Sequence, residues 1–249
     1  MATANPPALK LHMLRISHPC LTAVAALEHK GLPYELIELS PGEHNARMEE
    51  VYGPGHTTVP GLLVGDEPVH GSVAILRRLE ELRSSPPLYP EATADAVREA
   101  EEWADGELQD LGRRLPWGAL RFRPEAMGTY GGGEQLDPAG VDFAFRLLHQ
   151  TWKYHRITAA RLAEDLLKLP ALLDRVDSLA AAGTIGGDEP NAADLQIGAT
   201  VRVLLTVEDL HPLLENRAAA EIARRWFADY PGRIPAGAYP PGWVPAAAP

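Results

Sequence analysis

The side chains best placed for chemistry in this sequence stand together as Ser17-His18-Pro19-Cys20. A hydroxyl at the start of a helix either caps the helix or is presented to whatever lies beyond it. A cysteine reacts as its thiolate, which a helix start favours and an apolar surrounding disfavours. Cys20, Val24, Leu27 and Gly31 follow one another at spacings of four, three and four, which is one apolar helical face. Cys20 therefore reads as a small core residue, and it stands as the alternative nucleophile, through a mixed disulfide, to a role for Ser17. A second group is Trp152-Lys153-Tyr154-His155-Arg156. Its rings, Trp152, Tyr154 and His155, belong either to the core or to the lining of a substrate pocket. His149 and His155 lack the spacing and nearby acid of a ligand set, so no metal site is expected. Gly131-Gly132-Gly133 is followed by no Lys-Ser or Lys-Thr and preceded by no strand, so it reads as a surface excursion near a site mouth rather than a phosphate cradle.

Positioning Ser17 and Cys20 requires a strand before them and a helix after. Leu9, Leu11 and Met13 alternate with Lys10 and His12, the period of a strand with one buried face. Pro19 suits the first turn of a helix, and Gly31 suits a left-handed end. The pattern predicts a helix over 19–30 with Glu28, His29 and Lys30 on its polar side. Residues 34–39 alternate as a second strand, completing a βαβ unit with a parallel pair. A polar loop is expected over 40–57. Residues 59–64 then read as a third strand, with Pro60 at its first position or on an edge. Gly65-Asp66 turns into a fourth strand over 67–70. Ser72 can cap a closing helix whose inward stripe is Ile75, Leu76, Leu79 and Leu82.

Four separated pieces of this unit resemble the glutathione S-transferases in that family's order: Ser17-x-x-Cys20, Lys30-Gly31-Leu32-Pro33-Tyr34-Glu35, Thr58-Val59-Pro60-x-Leu62 and Ser72-x-Ala74-Ile75. The resemblance implies an α/β N-terminal thioredoxin-like domain (βαβ-ββα) followed by an all-α C-terminal domain. It implies a homodimer that uses glutathione as co-substrate, without a metal, to attack an electrophilic small molecule. It implies a cis bond at Pro60 that sets the Val59 backbone against the cysteine part of glutathione, and Ser72 at a helix start holding the γ-glutamyl carboxylate. It implies, for Ser17, a hydroxyl that donates to the glutathione thiolate. Gly71 departs from the family, which usually places Glu or Gln there to meet the ligand's amino group. In redox members of the fold the exposed nucleophile is the first Cys of C-x-x-C; here Ser17 has that place and Cys20 the second. A glutathione-dependent isomerase or thiol reductase, or a non-catalytic binding or regulatory relative, is the alternative.

The remainder of the chain reads as scaffold. Pro86, Pro87 and Pro90 mark an extended connector over 84–90, because proline cannot continue a helix. The expected division is 9–83, 84–90, a helical part 91–235 and a tail 236–249. Helical patterns run over 92–114, 141–168 and 170–182, with loop or broken helix over 115–137. Asn191-Ala192-Ala193-Asp194 is a capping box in acidic form before an apolar helix, and 210–217 and 219–230 complete the helical part, ahead of an extended segment from 231. The sequence has 249 residues, 34 acidic against 23 basic and a net charge of -11. That balance argues against nucleic acid or an anionic membrane surface as partner. One cysteine fits a reducing compartment. With no long apolar run and no signal-peptide pattern in the first eight residues, the expected location is cytoplasmic.

Overall fold

The computed structural model describes residues 7–228 and 232–246. Its first part is a four-stranded sheet in the order β2-β1-β3-β4, built from β1 (Leu9–Met13), β2 (Glu35–Glu38), β3 (Gly61–Val64) and β4 (Glu67–His70). β1 pairs parallel to β2 with Leu11 opposite Leu36, and antiparallel to β3 with Leu11 opposite Leu62. Helices α1 (His18–His29) and α3 (Ser72–Leu82) contribute Ala23, Leu27, Ile75, Leu76 and Leu79 to the same core as Leu9, Leu11 and Met13. The expected strand-helix-strand and hairpin-helix order is thus observed, and among the described residues, apart from one isolated β-bridge, helices follow it. They are α4 (Ala94–Trp103), a π turn (Ala104–Leu108), α5 (Gln109–Phe122), α6 (Met127–Tyr130), α7 (Pro138–Tyr154), α8 (Ala159–Ala181), α9 (Ala192–Leu204), α10 (His211–Leu214) and α11 (Ala218–Trp226).

Several expectations are corrected. The loop expected over 40–57 contains a helix, α2 (His44–Tyr52), whose Met48 and Tyr52 are buried. It covers the second face of the sheet, so His12, expected on a polar face, is buried and pairs with the Tyr52 hydroxyl at 2.8 Å. Gly61 admits this approach, since a Cβ there would overlap the Tyr52 ring and Met48. Lys30, expected on the polar side of α1, is fully buried; its ammonium meets the Glu80 carboxylate and the carbonyl oxygens of Arg83 at 2.7 Å and Pro86 at 2.6 Å. A buried cation needs such partners, and here they fasten the connector to α1 and α3. Ser72 is the first residue of α3 rather than its cap, the N-cap position belonging to Gly71 at φ 92°.

Helix also extends into 115–137: α5 runs through Pro116 to Phe122, and only Arg123 and 131–137 are left without helix before α7. The expected helix over 141–168 is two, α7 and α8, separated where Arg156 takes a φ of 52°. α8 passes through Pro170 unbroken. The expected capping box is present and complete at Asn191 and Asp194, and α9 behind it is almost wholly buried. The final segment, expected as an extended tail, is packed in its described part: Ile234 bridges to Val207 and the buried Tyr239 hydroxyl donates to the Leu115 carbonyl at 2.7 Å. Residues 229–231 and 247–249 lie outside the description, including the end of the helix expected over 219–230.

Candidate functional site

A cavity of about 440 Å³ opens between the sheet's upper edge and helices α5 to α7. Ser17 stands in its wall because β1 ends at Met13 and α1 begins at His18, leaving Ser17 extended at the N-cap position with ψ 111°. Its side chain makes no capping bond to α1. The reading of Ser17 as a helix cap is therefore not what its hydroxyl does. The backbone instead closes the turn, with the Ser17 N–H donating to the Leu14 carbonyl at 3.0 Å.

Cys20 does not reach the cavity. Its thiol is fully buried in the core, and burial pushes it up to about 12, against smaller opposing contributions from the Ser17 hydroxyl and the Leu14 backbone. A thiol so placed is a packing residue.

Val59 lines the cavity beside Thr58. The Val59-Pro60 bond is cis, and the Pro60 carbonyl accepts from the Gly71 N–H at 3.0 Å. Pro60, Gly71 and Ser72 do not line this cavity; they adjoin the Val59 part of its wall. Of the three rings singled out in the sequence, Tyr154 and His155 line the cavity and Trp152 does not. The Trp152 indole donates to the Trp117 carbonyl at 2.9 Å and packs edge-on to Phe122, so it is a structural residue of the helical part. The Tyr154 hydroxyl lies 3.1 Å from that of Thr57, joining the end of α7 to the loop before Val59.

Other wall residues were assigned no role from the sequence. His18 is buried against α5 and α9, and its Nε2 has no partner. Gly112 admits the ring, since a Cβ there would lie 2.6 Å from Thr200 and 3.2 Å from His18 Nε2. Burial, reinforced by Arg113 and opposed by a bond to the Gln109 backbone, drives His18 down to about 3. Burial and Arg113 likewise lower His155 to about 4, and burial lowers His44. All three imidazoles are therefore neutral near pH 7. Asn45 is fixed by donating from Nδ2 to the Thr57 carbonyl at 2.9 Å, and Trp117 and Tyr130 meet edge to face at 5.9 Å between ring centres. Helix α2 supplies His44 and Asn45, α5 supplies Arg113 and Trp117, and α6 supplies Met127 and Tyr130. Only the tertiary fold brings these to Ser17.

Among the described residues, no group of three or more His, Cys, Asp or Glu is placed to hold a metal ion. Among them also, no helix is long and apolar enough to cross a membrane.

A strand-to-helix turn carrying a hydroxyl, a cis proline loop beside it and a helical wall opposite define a thioredoxin-like α/β unit joined to a helical part. Residues 11–87 match the family model described as glutathione S-transferase, N-terminal domain, and the chain has the fold of glutathione S-transferases. Among solved structures, the beta-etherase LigF from Sphingobium sp. strain SYK-6 is similar at 17% identity with a TM-score of 0.65, over 89% of this chain and 93% of that one. The theta class glutathione S-transferase of Xanthomonas axonopodis pv. citri with glutathione bound is similar at 21% identity with a TM-score of 0.56, over 89% and 91%. FzlA from C. crescentus is similar at 19% identity with a TM-score of 0.53, over 96% of each chain. No curated protein matches the sequence.

Proposed function

We propose that this chain binds glutathione and activates its thiol for attack on an electrophilic small molecule. In this reading it is a cytoplasmic homodimer with residues 9–83 as thiol-binding domain, 84–90 as linker, 91–235 as helical domain and 236–249 as tail. The observation that carries the reading is the start of α1, where Ser17 lines the cavity and its hydroxyl makes no capping bond to the helix. Its O–H donates to the glutathione sulfur, and the α1 N-terminus adds a favourable dipole, so the thiol's pKa falls and the reactive thiolate fraction rises. The cysteine part of the tripeptide lies along Val59 and Pro60. The γ-glutamyl carboxylate lies at Gly71 and Ser72, where α3 begins.

The step balances without a further reagent. The thiol releases its proton to solvent, the sulfur lone pair forms a bond to the electrophilic carbon, and the leaving group departs with the pair of the bond it loses. The structural likeness to a theta class enzyme with glutathione bound supports the choice of thiol. The likeness to a beta-etherase suits the same displacement with an oxygen leaving group. The buried, upshifted Cys20 weighs against a thiol reductase, which needs an accessible thiolate.

Calorimetric titration with glutathione, followed by a conjugation assay with activated aryl halides, tests the reading. Saturable binding with conjugation is the expected result. Absence of glutathione binding would overturn it, and binding without conjugation of any electrophile would reduce it to a binding protein.

A further inference from the structure

Among the described residues, the cavity wall carries one permanent cation, Arg113, and no carboxylate, although the chain as a whole has a net charge of -11. Arg113 projects from α5 beside Gly112, on the helical side of the cavity and across from the Val59 loop. Its nearest acid is Asp110, at 3.4 Å, one turn earlier on the same helix. Asp110 is more closely engaged elsewhere: its other oxygen takes Arg114 at 2.7 Å. Arg114 in turn holds the buried Asp165 through Nε at 2.5 Å and Nη2 at 2.9 Å. Neither Asp110 nor Asp165 lines the cavity. The charge of Arg113 is thus only loosely matched by the protein, and the residue lines the cavity.

The remaining groups around that cation do not neutralise it. His18 and His155 both feel Arg113 as a nearby positive charge. Being uncharged, they neither compete with it for an anion nor repel one. The surface next to it is aromatic and apolar: Trp117 and Tyr130 set edge to face, with Met127 and Leu147. A planar ring has a matching wall there, and a guanidinium fork offers paired donors to a planar anion.

We infer that the second substrate is an aromatic electrophile bearing an anionic group, a carboxylate or its equivalent, with Arg113 as the residue that selects it. The inference rests on the proposed transfer reaction, and it concerns which electrophile the cavity takes rather than whether glutathione binds. Arg113 is then a specificity-determining residue on the electrophile side, separate from Ser17.

The test compares 4-chloro-3-nitrobenzoate with 4-chloro-3-nitrobenzamide, which share ring and leaving group and differ in charge. Binding is read from quenching of tryptophan fluorescence, since Trp117 lines the cavity, and glutathione affinity is measured in parallel. Turnover of both compounds follows. The wild type is expected to bind the benzoate more tightly than the amide. Arg113→Gln should weaken the benzoate by about tenfold to a hundredfold, the range for losing a hydrogen bond to a charged group. The amide and glutathione should stay within about twofold, and Arg113→Lys should recover part of the benzoate affinity. In turnover the loss should appear in KM, with kcat little changed. Equal binding of both compounds by the wild type, or an unchanged benzoate affinity in Arg113→Gln, overturns the inference. So does a selective loss of glutathione affinity in Arg113→Gln, which would assign the guanidinium to the tripeptide. Charge-selective binding in a protein that does not bind glutathione would leave the inference about Arg113 standing and overturn the proposed reaction.

Discussion

Two helix starts in this molecule use similar residues to opposite ends. At α9, Asn191 accepts from the Asp194 N–H at 3.1 Å, and Asp194 accepts from the N–H groups of Asn191 at 3.1 Å and Gly186 at 2.7 Å. The Asn191 amide also donates to the Thr184 carbonyl at 2.8 Å, and Asp194 is fully buried. Every polar group there is answered by the protein itself. At α1, Ser17 occupies the same N-cap position without a capping bond from its side chain, and it lines a cavity. A helix start whose donors are satisfied internally serves the fold, and one left open has its dipole and hydroxyl available to a ligand.

The largest expected effect tests the open start. Ser17→Ala should lower kcat/KM for conjugation by about a hundred- to a thousand-fold, roughly 2.7 to 4 kcal/mol, if its hydroxyl matters as much as one preorganised oxyanion donor. The unfolding free energy should move by no more than about 0.5 kcal/mol, because no cap bond is lost. Urea denaturation beside steady-state kinetics checks both. A clear loss of stability with unchanged turnover would make α1 the same kind of start as α9, and the contrast would fail.

The closed start comes next in size. Asp194→Ala removes the acceptor of two backbone N–H groups in a buried place, and should cost about 2 kcal/mol of stability. Turnover per folded molecule should stay close to that of the wild type. Denaturation midpoints together with kinetics on the folded fraction decide it.

The two starts were not equally legible in the sequence. The capping box could be read directly, because donor and acceptor lie three residues apart and the helix that follows is apolar throughout. The βαβ-ββα order was legible for a similar reason, since it rests on local spacing, while Ser17 and Val59 were singled out by the resemblance of four short pieces to a known family. Arg113, His18 and Asn45 were not. Arg113 looks like a solvated position on an amphipathic helix, and only the packing of α5 against α7, α8 and α9 brings it to the cavity that Ser17 also lines. Helix α2 was missed because its residues, His44 to Tyr52, are mostly polar and only Met48 and Tyr52 are buried. Trp152 left two readings open in the sequence, core or pocket, and its indole, engaged by the Trp117 carbonyl, takes the first.

Acidity separates the two regions again, with opposite signs. His18, beside the open start, is held down to about 3 by burial, below its ordinary value of about 6.5. The native state therefore binds fewer protons than the unfolded chain in that window, and the contribution present above about pH 6.5 is lost as pH falls. Asp194, at the closed start, is raised by burial, so its contribution is largest in acid and declines as pH rises through its native value. His18→Gln should flatten the acid limb of the stability curve by up to about 1.4 kcal/mol per pH unit below pH 6.5. Urea titrations between pH 4.5 and 7.5, as about ten steps each, measure that slope. An unchanged slope would show that the imidazole is not held neutral.

The smallest expected effect concerns Cys20, which lies one turn beyond Ser17 and marks where the open start ends. Its side chain touches the core and not the cavity, so Cys20→Ala removes one sulfur atom from a packed interior. The cost should be about 1 kcal/mol, at the low end for core truncations because the deleted group is small. Conjugation should be nearly unchanged. The contact between the Ser17 hydroxyl and the Cys20 thiol gives the experiment its edge: if that contact oriented the hydroxyl for catalysis, Cys20→Ala would lower kcat without altering glutathione affinity. An alkylating reagent adds a second measure, since a fully buried thiol pushed up to about 12 should be modified only as the protein unfolds. Rapid labelling of the native protein, or loss of activity in Cys20→Ala comparable to that in Ser17→Ala, would place the thiol in the site and extend the open start by a full turn of helix.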